Sequence, residues 1–260
     1  MDRSYKHVYQ FKISLKGIRP PVWRRIQVPG NYTFWDLHVT IQDAMGWWDE
    51  HLHAFEMMNP GKGIEVEIGI PDDEFVDSGH KILPGWKQKI SKFFSEQNYK
   101  ALYIYDFGDD WEHELKLEKI IARDMQKDYP ICVAGRRACP PEDCGGPPGY
   151  ADLLEILSDP EHDAYEKMIE WVGGEFDPGH FKVNEVNFDD PKSRLDLLFA
   201  PEFEEDEDLL TGAGDDVAGL MRPVHREGMH ELWEKAKAGD TEDLDEEERR
   251  LVKIMRDHED

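Results

Sequence analysis

Positive charge is what this sequence has least of. Across 260 residues, 31 Lys and Arg face 57 Asp and Glu, a net charge of −26. Duplex nucleic acid is bound largely by neutralising phosphates with Lys and Arg, so a general duplex binder is not expected. A basic-aromatic patch of Arg19, Arg24 and Arg25 with Trp23 is too small to reverse that balance. Long apolar runs are missing too. No stretch approaches the ~20 residues needed to cross a bilayer, and no membrane partner is expected. Cysteine is scarce: Cys132, Cys139 and Cys144 lie close together in a chain without an export signal. Reduced thiols are expected rather than a disulfide framework. The N-terminal residues run straight into a strand pattern without a leader-like apolar segment, so the expected location is cytoplasmic. A Gly-rich phosphate loop, a His-Glu-x-x-His helix and a Gly-x-Ser-x-Gly elbow are all absent.

What is present supports a packed fold. Seven of the eight tryptophans and eleven of the twelve phenylalanines lie in the first two hundred residues and argue against disorder there. Acidity is concentrated at the end of the chain. Residues 201–260 hold 21 acidic and 8 basic side chains, half of the net charge. The expected organisation is a domain over residues 1–200, an acidic linker over 201–214, and a small helical appendage over 215–260.

Periodicity sets the elements. Tyr9, Phe11, Ile13 and Leu15 alternate with polar residues, the period-2 mark of a half-buried strand. Residues 22–28 read as a second strand. Thr33 is a helix N-cap and Gly46 the stop, with Leu37, Ile41, Ala44 and Met45 as the buried stripe. Strands are expected over 51–58 and 64–70, a loop over 71–86 and a short helix over 87–96. Residues 102–105 and 111–119 form a hairpin around a turn at Phe107-Gly108-Asp109-Asp110. Residues 122–148 read as a long irregular segment, and such segments are usually functional or specifically ordered. Helices are expected over 149–157, 160–172 and 191–199, with an extended piece over 181–188. Strands followed by helices, without βαβ alternation, predict an α+β fold. Its sheet is mostly antiparallel, with helices packed on it.

Three motifs carry the chemistry. His51 and His53 stand at i and i+2, one face of a strand, where two imidazoles can share a metal ion. Asp106, Asp109 and His113 flank the hairpin turn, and carboxylate plus imidazole suits metal ligation or acid–base work. Equally, Asp in such a turn simply bonds local backbone. Cys139-Pro140-Pro141-Glu142-Asp143-Cys144-Gly145-Gly146 stiffens one end of a loop and frees the other. It presents Cys139, Glu142 and Asp143 ahead of Tyr150, or serves as a rigid structural loop. Its Cys spacing is not that of a zinc knuckle.

These residues resemble a known family. Arg19 to Arg25, His51 to Phe55, Tyr105 to His113, Cys139 to Tyr150, Phe176-Asp177-Pro178 and Val186-Asn187 are similar in order to the plasmid pRiA4b ORF-three-like family. Some of its members are labelled TnpR-type passenger proteins of insertion elements. The resemblance spans roughly residues 4–200 and implies an α+β fold, but no established activity. A serine resolvase would need a nucleophilic serine with arginines and a basic DNA-binding segment, and neither is evident.

Three functions compete. One is a binding module for a protein or small-molecule ligand, its pocket built by the three motifs. Trp23, Asp106, Asp109, Trp111, Cys139, Glu142, Asp143 and Tyr150 would contact the ligand, with Trp47 and Trp48 adding apolar area. Another is a metal-dependent, hydrolase-like enzyme, with a divalent transition metal on His51, His53, Asp109 and His113. The third, an accessory factor of a mobile element, rests on the family label alone.

Overall fold

The computed structural model describes residues 4–71 and 82–199. The protein is α+β. Eight strands form one sheet: β1 (His7–Leu15), β2 (Trp23–Pro29), β3 (His53–Asn59), β4 (Ile64–Gly69), β5 (Ile82–Pro84), β6 (Lys100–Tyr105), β7 (Trp111–Ala122) and β8 (Ile131–Arg136). Their order is β5-β4-β3-β6-β7-β1-β2-β8. Every pairing is antiparallel except β4 with β5. Four α-helices complete the described chain: α1 (Phe34–Met45), α2 (Gly146–Ser158), α3 (Tyr165–Trp171) and α4 (Pro191–Leu198).

The alternation in β1 turns Phe11, Ile13 and Leu15 into the core, where Ile26, Val28, Phe55, Tyr103, Leu115 and Leu117 join them. The helix α1 is capped as its sequence requires. Thr33 accepts from the Asp36 amide while Asp36 accepts from the Thr33 amide, and Gly46 closes the other end in the left-handed conformation. The expected stripe of Leu37, Ile41, Ala44 and Met45 is buried, but so are His38, Thr40, Gln42 and Asp43. The helix is covered on its second side by the chain around α4. Trp35 Nε1 donates to the Pro191 carbonyl at 2.8 Å, and Arg194 Nη2 meets Asp43 Oδ1 at 3.1 Å.

Several expected elements differ. Residues 87–96 form two short 3-10 turns, Gly85–Lys87 and Ile90–Lys92, rather than a helix. Backbone bonds draw this segment along the start of α1: Phe34 donates to Gln88 and Ile90 to Tyr32. Phe93 and Phe94 both pack against Phe34, and adjacent residues cannot share one helical face. The irregular segment contains β8, which pairs with β2. The residues described at the end of the expected 71–86 loop form β5. The helix expected from residue 160 begins at Tyr165, and α2 starts at Gly146 rather than Gly149. The strand β3 starts at His53, so His51 precedes it. The proposed linker and helical appendage lie outside the described residues. Among those described, no helix is long and apolar enough to cross a membrane.

Candidate functional site

Three segments knit together at one end of the β3-β6-β7 region. The first is 46–52, leading into β3. The second is the turn between β6 and β7. The third is the loop 139–145 before α2. Tyr105 and Trp111 close the hairpin as its last pair. Beyond them Asp106 and Asp110 adopt φ of 57° and 54°, a left-handed conformation that Asp tolerates better than most residues. Asp106 Oδ1 accepts from the amides of Gly108 and Asp109 at 2.9 and 3.2 Å, and its own amide donates to the Leu52 carbonyl at 3.0 Å. The local backbone bonding expected of the turn residues at 108–110 is thus made by Asp106, and it uses only one carboxylate oxygen.

The proline-rich loop is docked by side chains. Trp47 Nε1 donates to the Pro140 carbonyl at 2.9 Å. Glu142 accepts from the Trp48 amide at 2.6 Å and from the Tyr105 hydroxyl, which itself accepts from the Glu50 amide at 3.0 Å. Burial pushes the Glu142 carboxyl upward, outweighing those two bonds. Burial, aided by Glu142, pushes the Tyr105 hydroxyl well above its ordinary value. Asp109 Oδ2 accepts from the Gly145 amide at 3.0 Å and so ties the turn to the loop.

This docking brings His51, Asp106 and Asp143 together. His51 Nε2 lies 3.0 Å from Asp143 Oδ1 and 3.7 Å from Asp106 Oδ2. One donor atom from each residue falls within 4.8 Å of the others. Despite that proximity, His51 Nε2 makes no hydrogen bond, so the carboxylates flank it out of line with a ring N–H. The group sits on a rim: side-chain exposure is 30% for His51, 11% for Asp106 and 62% for Asp143. The same turn lines a shallow open cleft of about 320 Å³ with Lys16, Glu112 and Pro147.

The four residues expected to share one metal do not converge. His53 turns inward, to His38 and Asp49. His113 lies in the core beside Trp47 and Tyr103. Asp109 is engaged by Gly145. Only His51 stands on the rim with free donor capacity. The spacing rule for His51 and His53 holds within a strand, and β3 begins between them. Of the residues expected to contact a ligand, Trp111 and Tyr150 are core side chains. Burial pushes the Cys139 thiol upward, and its neighbour Cys144 rises to about 12. All three cysteines are free. Trp23 stands on β2 with Lys12 and Arg25 over its ring at 5.2 and 5.3 Å. Asp106 and Asp143 reach the rim group, and Glu142 clamps the loop.

Sequence reading missed His38, Asp49 and Arg194. His38 Nδ1 is 2.8 Å from the Tyr103 hydroxyl, and its Nε2 is 2.6 Å from Asp49 Oδ1. Arg194 meets Asp43, Asp49 and Asp189 at 3.0–3.1 Å. Burial works to raise the Asp49 carboxyl, but His38 and Arg194 outweigh it and hold it below the usual range. One signal was legible: His38, Gln42 and Asp43 are polar residues on two sides of a helix with a strong apolar stripe.

His113 carries a pH prediction. Burial pushes its imidazole down to about 4. In an unfolded chain the group protonates near its ordinary value of ~6.5. Its contribution is complete above that value and is lost as pH falls towards 4, by roughly 3 kcal/mol at most. Burial and neighbouring His38 lower His53 as well, adding in the same sense. Urea midpoints should fall between pH 7 and pH 4.5, and His113→Gln should flatten that fall. Equal slopes in both proteins would remove His113 as the cause.

Residues 7–185 match the family described as plasmid pRiA4b ORF-3-like protein. The chain belongs to this family. A curated relative is the uncharacterised protein y4hQ of Sinorhizobium fredii, 34% identical over 184 residues, covering 69% of this chain and 89% of that protein. A solved relative is MM3350 of Methanosarcina mazei Go1, a crystal structure of a protein of unknown function. It is 48% identical with a TM-score of 0.66, and the match covers 71% of this chain and all of that one. Both relatives of this ORF-3-like chain are described without an activity.

Proposed function

We propose that this ORF-3-like protein is a metal-dependent binding module. His51, Asp106 and Asp143 hold a divalent transition metal ion on the rim, and its remaining coordination positions take an oxygen or nitrogen donor from a small molecule or a protein partner. The observation that carries this reading is the orphaned His51 Nε2 between two carboxylate oxygens. Ligand atoms around a transition metal with bonds of ~2.1 Å stand about 3–3.5 Å apart. The separations of 3.0 and 3.7 Å bracket that range, whereas a hydrogen bond would need alignment that is missing here. Mixed imidazole and carboxylate donors suit Zn²⁺, Mn²⁺, Co²⁺ or Fe²⁺. Asp106 is pre-positioned, because its second oxygen is locked in the turn.

Binding is favoured over hydrolysis. A hydrolytic centre needs a free base beside the metal-bound water. Of the two neighbouring carboxylates, Glu142 accepts from Tyr105 and Trp48, and Asp109 is committed through Oδ2 to the Gly145 amide, so neither is wholly free. A cytoplasmic setting and an association with mobile elements belong to the same proposal. The first rests on composition and the second on the family label.

Metal analysis of chelator-stripped, reloaded protein tests the reading. The expected result is that His51→Ala loses about one equivalent of Zn²⁺ or Co²⁺ per chain while staying folded. Identical metal content in the variant and the parent would sink it.

A further inference from the structure

His53 is a buried imidazole with both ring nitrogens unsatisfied. It is 2% exposed, yet neither Nδ1 nor Nε2 has a hydrogen-bond partner. Buried polar atoms in native proteins are nearly always paired, and an exception calls for a specific cause such as an ion. His53 lies face to face with His38, ring centroids 3.4 Å apart and planes within 9°. One donor atom each from His38, Asp49 and His53 falls within 4.8 Å of the others.

Further carboxylates surround the group. Asp43, Asp49 and Asp189 converge on a single guanidinium, Arg194. Asp43 is fully buried at its side chain and Asp49 is 12% exposed. Desolvated carboxylates beside imidazole nitrogens favour a divalent cation.

We infer that His38, Asp49 and His53 form a second, buried site for a divalent transition metal ion. The proposal stands independently of the rim site. Two imidazoles and a carboxylate are the donor set of Zn²⁺, Co²⁺ or Fe²⁺ rather than of Ca²⁺ or Mg²⁺. The outer contacts are already in place. The ion takes the position of the proton between His38 Nε2 and Asp49. That proton moves to His38 Nδ1, which then donates to the Tyr103 hydroxyl oxygen at 2.8 Å; this oxygen also accepts from Gln42 Nε2, and the hydroxyl turns its own proton away from His38. Metal-bound histidines commonly donate their second N–H to such an oxygen. Arg194 Nη1 holds the other Asp49 oxygen at 3.1 Å, and Trp35 covers both rings, its centroid 5.2 Å from His38 and 5.9 Å from His53.

Binding requires two movements. The His38–Asp49 separation of 2.6 Å is shorter than a ligand–ligand edge, so this pair opens by about half an ångström. The stacked rings also fan apart, because a metal lies in the plane of each imidazole it binds. The ion then ties α1, the 46–52 segment and β3 to one point, and its burial makes exchange slow.

The test uses the full chain, stripped with chelator and reloaded with Zn²⁺ or Co²⁺. The expected content is about two equivalents in the parent and about one in each of His51→Ala and His53→Gln. In the parent, imidazole ¹⁵N resonances of His38 and His53 should shift as Zn²⁺ is added, a readout that needs no variant to fold. Unshifted His38 and His53 resonances at saturating Zn²⁺ would overturn the inference whatever the rim does. Loss of metal in His53→Gln but not in His51→Ala would keep this site and reject the rim.

Discussion

Replacing Arg194 by methionine is expected to destabilise the fold by about 3–5 kcal/mol, because it removes a largely buried cation that three carboxylates share. Asp43 is fully buried at its side chain, Asp49 is 12% exposed, and Arg194 itself is 13% exposed. Burial lowers the Arg194 guanidinium's affinity for its proton, but Asp43, Asp49 and Asp189 together reverse this and leave its pKa raised. The guanidinium also spans elements far apart in sequence. From α4 it reaches Asp43 on α1 and Asp49 in the turn beyond, so its loss loosens the cover over α1. Chemical denaturation of the parent and Arg194→Met measures the effect. Adding Asp43→Asn to Arg194→Met should recover part of the loss by removing one of the buried carboxylates that Arg194 meets. A double variant no more stable than the single one would contradict the charge argument and leave packing as the cause.

Gly146→Ala is expected to cost about 2–4 kcal/mol, combining a left-handed backbone with a backbone collision. Gly146 has a φ of 67°, and a Cβ there would stand closer to the Asp109 carbonyl oxygen than real contacts allow. Neither wall of that contact is a flexible side chain, so the loop must lift off the turn. Lifting breaks the bond from the Gly145 amide to Asp109 and carries Asp143 away from His51. The variant should therefore lose rim metal affinity as well as stability. Gly173→Ala has a comparable φ of 75° but meets no atom nearby, and it serves as the control for backbone strain alone. Equal losses in the two variants would remove the docking explanation.

These two sites show how unevenly the sequence could be read. The turn at 107–110 was legible from its Gly and Asp residues, although the side chain that bonds the local backbone is Asp106, just before it. That Asp106 retains a second oxygen facing His51 was not legible. It depends on where residues 51 and 143 arrive. The reading of His51 and His53 as one pair used a correct rule in the wrong place. The strand starts at His53, so one imidazole goes to the rim and the other under α1. Arg194 gave no local signal, since an arginine in a short terminal helix reads as solvated surface until its three carboxylates are in view.

The sequence alone determined what local forces decide. The capped helix α1, the alternation in β1 and β7, the tight hairpin turn and the α+β class follow from hydrogen bonds and side-chain periods over a few residues. Tertiary structure alone decided the rest. The strand β8 exists because β2 offers it an edge. The Phe93-Phe94 segment gives up its helix because both rings are drawn into one core. The histidines separate into a rim group and a buried group because loops distant in sequence close around them. Such outcomes turn on contacts between residues far apart along the chain, and local pattern carries no term for them.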